Sequence, residues 1–162
     1  MNTLKKIHDL ILLKKMNKCL DLMMEYQEKN NITKHCVTNS YYLYHNLKAY
    51  GINVKTVPTI FICVEGGITK VIAHVAVCLV DYDMLLEPSY EIVKLKEEAD
   101  EYHYFFKIQD ITFPSKEAKK QALEMFLGMA KQSNGINEDK YIEDNSYYHA
   151  QADYVDKHLK SS

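Results

Sequence analysis

Val71-Ile72-Ala73-His74-Val75-Ala76-Val77-Cys78-Leu79-Val80 is apolar throughout except for one histidine. Valine and isoleucine dominate it, and no polar residue alternates with the apolar ones. Such a run reads as a strand covered on both faces, at the centre of a sheet. Working outward, Gly66-Gly67 is a hairpin turn signal, and Val54 to Val64 on its far side is equally rich in β-branched and aromatic residues. Ile68 to Val80 is then the return strand. Asp81-Tyr82-Asp83 is a second turn, Met84-Leu85-Leu86 a short third strand, and Glu87-Pro88-Ser89 closes it. Ile92 to Leu95 is expected to add another strand, Lys96 to Glu101 a charged exposed loop, and Tyr102 to Ile108, which alternates, an outer strand.

The flanks change period. Leu4, Ile7, Ile11, Leu12, Met16, Leu20, Met23 and Met24 recur at three- and four-residue spacing, so residues 4–28 predict a helix with that stripe inward. Asn30-Asn31 breaks it, and Thr33 is a possible start for the next. The second helix is expected from Cys36 to Tyr50, with Gly51 as its stop. After Pro114-Ser115, the stripe Ala118, Ala122, Met125, Phe126, Met129 and Ala130 predicts a helix ending near Asn134-Gly135. Residues 138–160 read as a polar helical region broken near Asn145. The fold class is α+β: N-terminal helices packed on a central antiparallel sheet, then C-terminal helices. One domain spans 1–162, with its core at about 33–110 and flanking helices at 3–30 and 115–160.

Composition narrows the function classes. With 162 residues, 47% of them hydrophobic, the chain can bury a core without disulfide staples. A net charge of −2 argues against a dedicated nucleic-acid surface. All the cationic side chains are lysines, so the planar fork of arginine is missing as a phosphate or carboxylate clamp. No apolar run reaches membrane-spanning length, so no membrane partner is expected, and the first residues read as no signal peptide, so a cytoplasmic location is expected. Cys19, Cys36, Cys63 and Cys78 form no C-x-x-C pair, which removes the usual zinc and redox motifs. His149 and Asp153 share a helical face, a spacing too common to imply a metal. No glycine-rich loop joins a strand to a helix, so nucleotide binding has no support.

The histidine in the apolar run needs a partner if it is buried. His74 shares a strand face with Ala76 and Cys78, small neighbours that leave room for another element. The helix opened by Cys36 is a candidate. A helix N-terminus favours a thiolate and offers backbone N–H groups to an oxyanion. His74 can act as its base. If Asp81–Asp83 turns an antiparallel hairpin, residues near 88–91 fall opposite His74, and Glu87 and Glu91 bracket that stretch as acids to orient the ring.

Lys34-His35-Cys36-Val37-Thr38-Asn39-Ser40, Ala73-His74-Val75-Ala76-Val77 and Leu86-Glu87-Pro88-Ser89-Tyr90 together resemble the core of the transglutaminase-like branch of papain-fold cysteine enzymes. In that branch a Cys opens a helix, a His follows on a central strand, and an acid follows in a D-P-[ST]-type turn. The resemblance covers roughly residues 33–91 and implies a papain/transglutaminase-like fold, with Cys36 as nucleophile, His74 as base and Glu87 as orienter. The chain departs from the pattern at His35 and Val37, where the family often has Gly and Trp, at Val75-Ala76, which stand where a Trp often follows the His, and in having Glu for Asp. The resemblance further implies a side-chain amide beside the oxyanion, for which Asn30 or Asn31 is the weak candidate, and His35 adjoins the nucleophile. The implied activity is cleavage or transfer at an amide, peptide or isopeptide bond through a thioester, on a peptide or protein substrate, with no metal or organic cofactor. The alternative is an inactive protein-binding module on the same fold. Oligomeric state is not legible.

Overall fold

The apolar run around His74 forms an interior strand. The computed structural model describes residues 3–106, 115–135 and 138–160. Its sheet has four antiparallel strands in the order β3-β2-β1-β4, with β1 at Val54–Glu65, β2 at Ile68–Leu79, β3 at Met84–Leu86 and β4 at Glu101–Phe105. The long hairpin β1–β2 pairs Glu65 with Ile68 across Gly66-Gly67. Both glycines have positive φ, 56° and 80°, as a two-residue hairpin turn of this hand requires. Pro58 is tolerated inside β1 because β4 pairs only the stretch from Ile60 to Val64, so the missing N–H breaks no ladder on that side.

Among the described residues six α-helices accompany the sheet: α1 at Thr3–Lys29, α2 at Cys36–Ala49, α3 at Tyr90–Glu98, α4 at Lys116–Gly135, α5 at Glu138–Glu143 and α6 at Ser146–Lys160. The mixed α+β architecture expected from the sequence is present, including the break near Asn145 between α5 and α6. Ile60, Phe61, Ile62 and Cys63 are buried in succession, so β1 is covered on both faces. Ile60, Ile62 and Val71 pack against Ala118 and Ala122 of α4. Phe61 and Cys63 pack against Ile92 of α3. A third cluster joins Val77, Leu79 and Leu86 to Met16, Cys19 and Met23 of α1, Tyr42, Leu43 and Leu47 of α2, and Val155 of α6.

Three expectations are corrected. Ile92–Leu95 is not a strand but the middle of α3, and Lys96–Glu98 belong to that helix rather than to a loop. Ser89 is extended (φ −111°, ψ 115°), and the helix starts directly after it. Ile92 and Leu95 both join the Phe61 cluster, and three-residue spacing brings them to one side only if the segment is helical. Glu91 in the first turn and Lys96 in the last also suit the helix dipole. On α1, the start of the apolar stripe does not enter the core: Leu4, Ile7 and Ile11 are 72%, 50% and 49% exposed, because the helix runs past the body it packs on, and burial begins at Met16. The second helix starts at Cys36 and not at Thr33. The end of the expected outer strand, through Ile108, and the side chains of Phe126, Met129 and Ala130 lie outside the described residues. Among the described residues no helix is long and apolar enough to cross a membrane.

Candidate active site

Cys36 is the first residue of α2, where sequence reasoning put it. The first backbone bond of the helix runs from Asn39 N to His35 O. The N–H groups of Cys36, Val37 and Thr38 therefore lie outside the helical ladder, as at any helix start. Ser40 Oγ donates to Val75 O at 2.7 Å and seats the helix directly on β2, one residue from His74. Thr38, Asn39 and Ser40, three polar residues in a row, are all buried by this docking.

His74 is fully buried. Its Nε2 lies 2.8 Å from both carboxylate oxygens of Glu87. A carboxylate only accepts, so Nε2 carries the proton and donates. Nδ1 has no aligned hydrogen-bond partner. Burial alone would lower the pKa of this imidazole; hydrogen bonding and charge from Cys36 and then from Glu87 outweigh that and raise it to about 9. With Nε2 committed to Glu87, Nδ1 is the nitrogen left for the sulfur.

Glu87 follows the last residue of β3, and its side chain is only 6% exposed. Continuing the Val77–Leu86 register sets His74 opposite Ser89, within the 88–91 window read from the hairpin. Of the two candidate acids, Glu87 meets the ring. Glu91 is turned elsewhere, accepting from Lys34 N at 2.8 Å on the loop that enters α2. Two further donors hold Glu87: Ser89 N–H to Oε2 at 3.1 Å and Tyr104 O–H to Oε1 at 2.7 Å. Burial, then the charge of Glu87, push the Tyr104 phenol far upward, so it stays a donor across the ordinary pH range.

The Glu87-Pro88-Ser89 turn is itself fixed from below by buried amides. Gln27 of α1 donates to Pro88 O at 2.8 Å and to Gln151 Oε1 at 2.9 Å, and accepts from Tyr90 N at 2.8 Å. Asn39 of α2 donates to Ser89 Oγ at 3.1 Å and accepts from Tyr147 O–H at 2.6 Å. Three helices thus meet on one turn through side chains whose polar atoms are paired, which makes the junction specific as well as stable.

The weaker sequence candidates are not brought to this centre. Asn30 spends its amide on Tyr26 O at the end of α1. Asn31 is exposed in a left-handed conformation (φ 51°) and lines a cavity of about 370 Å³, with Thr33, Ile72, Glu91 and Leu95 among its walls; Cys36 and His74 do not line it. The His35 ring is exposed and stacks on Tyr147 at 4.3 Å between centroids. Cys19 and Cys63 are buried core residues. Burial and, behind it, the charge of Asp156 push the Cys19 thiol up to about 12, and burial pushes Cys63 up as well. Cys36 and Cys78 are the two partly exposed thiols.

No family model, curated protein or solved structure matches the chain.

Sequence reasoning missed Tyr104, Ser89, Gln27, Asn39 and Gln151. For Gln27 a signal existed: it continues the buried positions Met16 and Met23 along one helix face, and a polar residue in such a stripe calls for a buried partner. For Tyr104 there was none, because its contact depends on β4 pairing with β1 across more than forty residues of chain.

Proposed function

We propose that the chain is a thiol hydrolase or acyltransferase with a transglutaminase-like, papain-type site, acting on an amide, peptide or isopeptide bond of a peptide or protein. What supports this reading is one contact pattern: an interior histidine that gives Nε2 to a buried carboxylate and is left with Nδ1 and the thiol at a helix start. The thiolate of Cys36 attacks the carbonyl carbon, and the resulting oxyanion is offered the first-turn N–H groups of α2, which lie outside the helical ladder. The His74 imidazolium gives its Nδ1 proton to the departing amine as the C–N bond breaks, leaving a thioester on Sγ. Water or a second amine then attacks the thioester carbonyl and passes a proton back to His74, and the C–S bond breaks to release the acid or the new amide and the Cys36 thiolate, which restores the starting pair. Glu87 holds the ring in one tautomer throughout.

Iodoacetamide labelling of the full chain at neutral pH, read by mass spectrometry, tests the proposal. Cys36 is expected to react at least about tenfold faster than Cys19 and Cys63, and His74→Ala to remove most of that advantage. Cys36 reacting no faster than the two core thiols would overturn it. A panel of peptide amides, esters and isopeptides, with and without an added amine, then separates hydrolysis from transfer.

A further inference from the structure

Tyr104 stands on β4, which β1 separates from the strand that carries His74. Its side chain crosses Phe61, with ring centroids 5.1 Å apart, and ends 2.7 Å from Glu87 Oε1. Each Glu87 oxygen therefore has two donors: Oε1 has His74 Nε2–H and Tyr104 O–H, and Oε2 has His74 Nε2–H and Ser89 N–H. The charged and titratable groups around this set come from every neighbouring element. Cys36 faces the ring from α2, Glu87 from the turn after β3, and Tyr104 from β4 at 6.5 Å between ring centroids. Around Tyr104 itself stand Tyr102 on β4 and the Lys96 ammonium of α3, 5.4 Å from the ring centre.

We propose that Tyr104 is a positioning residue that shares the charge of Glu87 and so sets how firmly the carboxylate holds the proton on His74. A hydrogen bond to a carboxylate is strongest when no cation already neutralises it. The phenol therefore stabilises the arrangement with a neutral imidazole more than the one with an imidazolium. Its effect is to ease release of the proton from His74. The value of that release for turnover rests on the thiol-enzyme reading above, since His74 must then hand a proton to the departing amine. The electrostatic effect on the ring does not depend on that reading.

Titration of His74 by ¹⁵N NMR in the full chain tests the proposal. Tyr104→Phe keeps the ring and deletes only the hydroxyl, and the His74 midpoint is expected to rise by about half a unit or more. An unchanged midpoint means that the tyrosine only packs, and a lower one means that its loss merely loosens the pair; both overturn the proposal. If Tyr104→Phe does not fold, site-specific replacement of Tyr104 by a ring-fluorinated tyrosine gives a more acidic, stronger donor. The midpoint should then fall, and a rise or no change overturns the proposal. Cys36 labelling in the same samples keeps the two ideas apart. A slow Cys36 with the expected His74 shift sinks the enzyme reading alone, and a fast Cys36 without the shift sinks the role of Tyr104 alone.

Discussion

Ile60 and Phe61 are neighbours on β1 and both are fully buried, yet they enter different interiors. Ile60 packs with Ile62, Val71, Ala118 and Ala122 in an apolar cluster. Phe61 faces Ile92 and Tyr104, and beyond Tyr104 lie Glu87, His74 and the amides of Gln27, Asn39 and Gln151. One side is held by apolar area, which is tolerant of small changes in shape. The other is held by donors and acceptors that meet at particular atoms, where loss of one group strands its partners. The polar side therefore fixes geometry at particular atoms, where the apolar side fixes only shape and volume.

The largest expected departure between the two sides is in pH response. The His74 pKa is raised in the folded chain from 6.5 to about 9. The folded state thus binds this proton more tightly than the unfolded chain does. Its stabilisation is fully present below about pH 6.5 and is lost as pH rises through about 9, on the order of 3 kcal/mol in all. Urea unfolding across that window should show the decline, and Glu87→Gln should flatten it. A flat wild-type profile would mean that the polar side is not tuned by charge. Next comes Gln27→Met, a change of similar shape that removes every side-chain hydrogen bond of the residue. It should cost about 2 kcal/mol, because Pro88 O, Tyr90 N and Gln151 are left buried without it. The smallest effect is expected from Ile60→Val on the apolar side, about 1 kcal/mol by chemical denaturation with no change in pH profile. If Gln27→Met costs less than Ile60→Val, the contrast between the two sides fails.

Much of this arrangement was legible in the chain. Two glycines between two β-branched runs forced the hairpin, and a continuous apolar run forced its second strand inside. A histidine in that run demanded a partner, and the spacing of the second turn pointed to the 87–91 stretch. Where local pattern misled, a competing element decided. The apolar residues Ile92 and Leu95 fit a strand by composition, yet both had to reach Phe61, and only a helix brings them there together. Leu4, Ile7 and Ile11 carry a sound helical stripe, but periodicity says which face is apolar and not whether anything lies against it.

Local residue patterns were enough for the helices at either end, the hairpin between them, and the order of thiol, imidazole and acid along the chain. These follow from neighbours within a turn or a strand, where spacing and side-chain type carry the information. The packing of whole elements brings Glu87 and not Glu91 to His74, sets Tyr104 against Glu87, and gathers Gln27, Asn39 and Gln151 into one junction. Those contacts join residues between 12 and 124 positions apart, and hydrogen bonds at that range depend on how whole elements are docked. No local pattern of residue types encodes that docking.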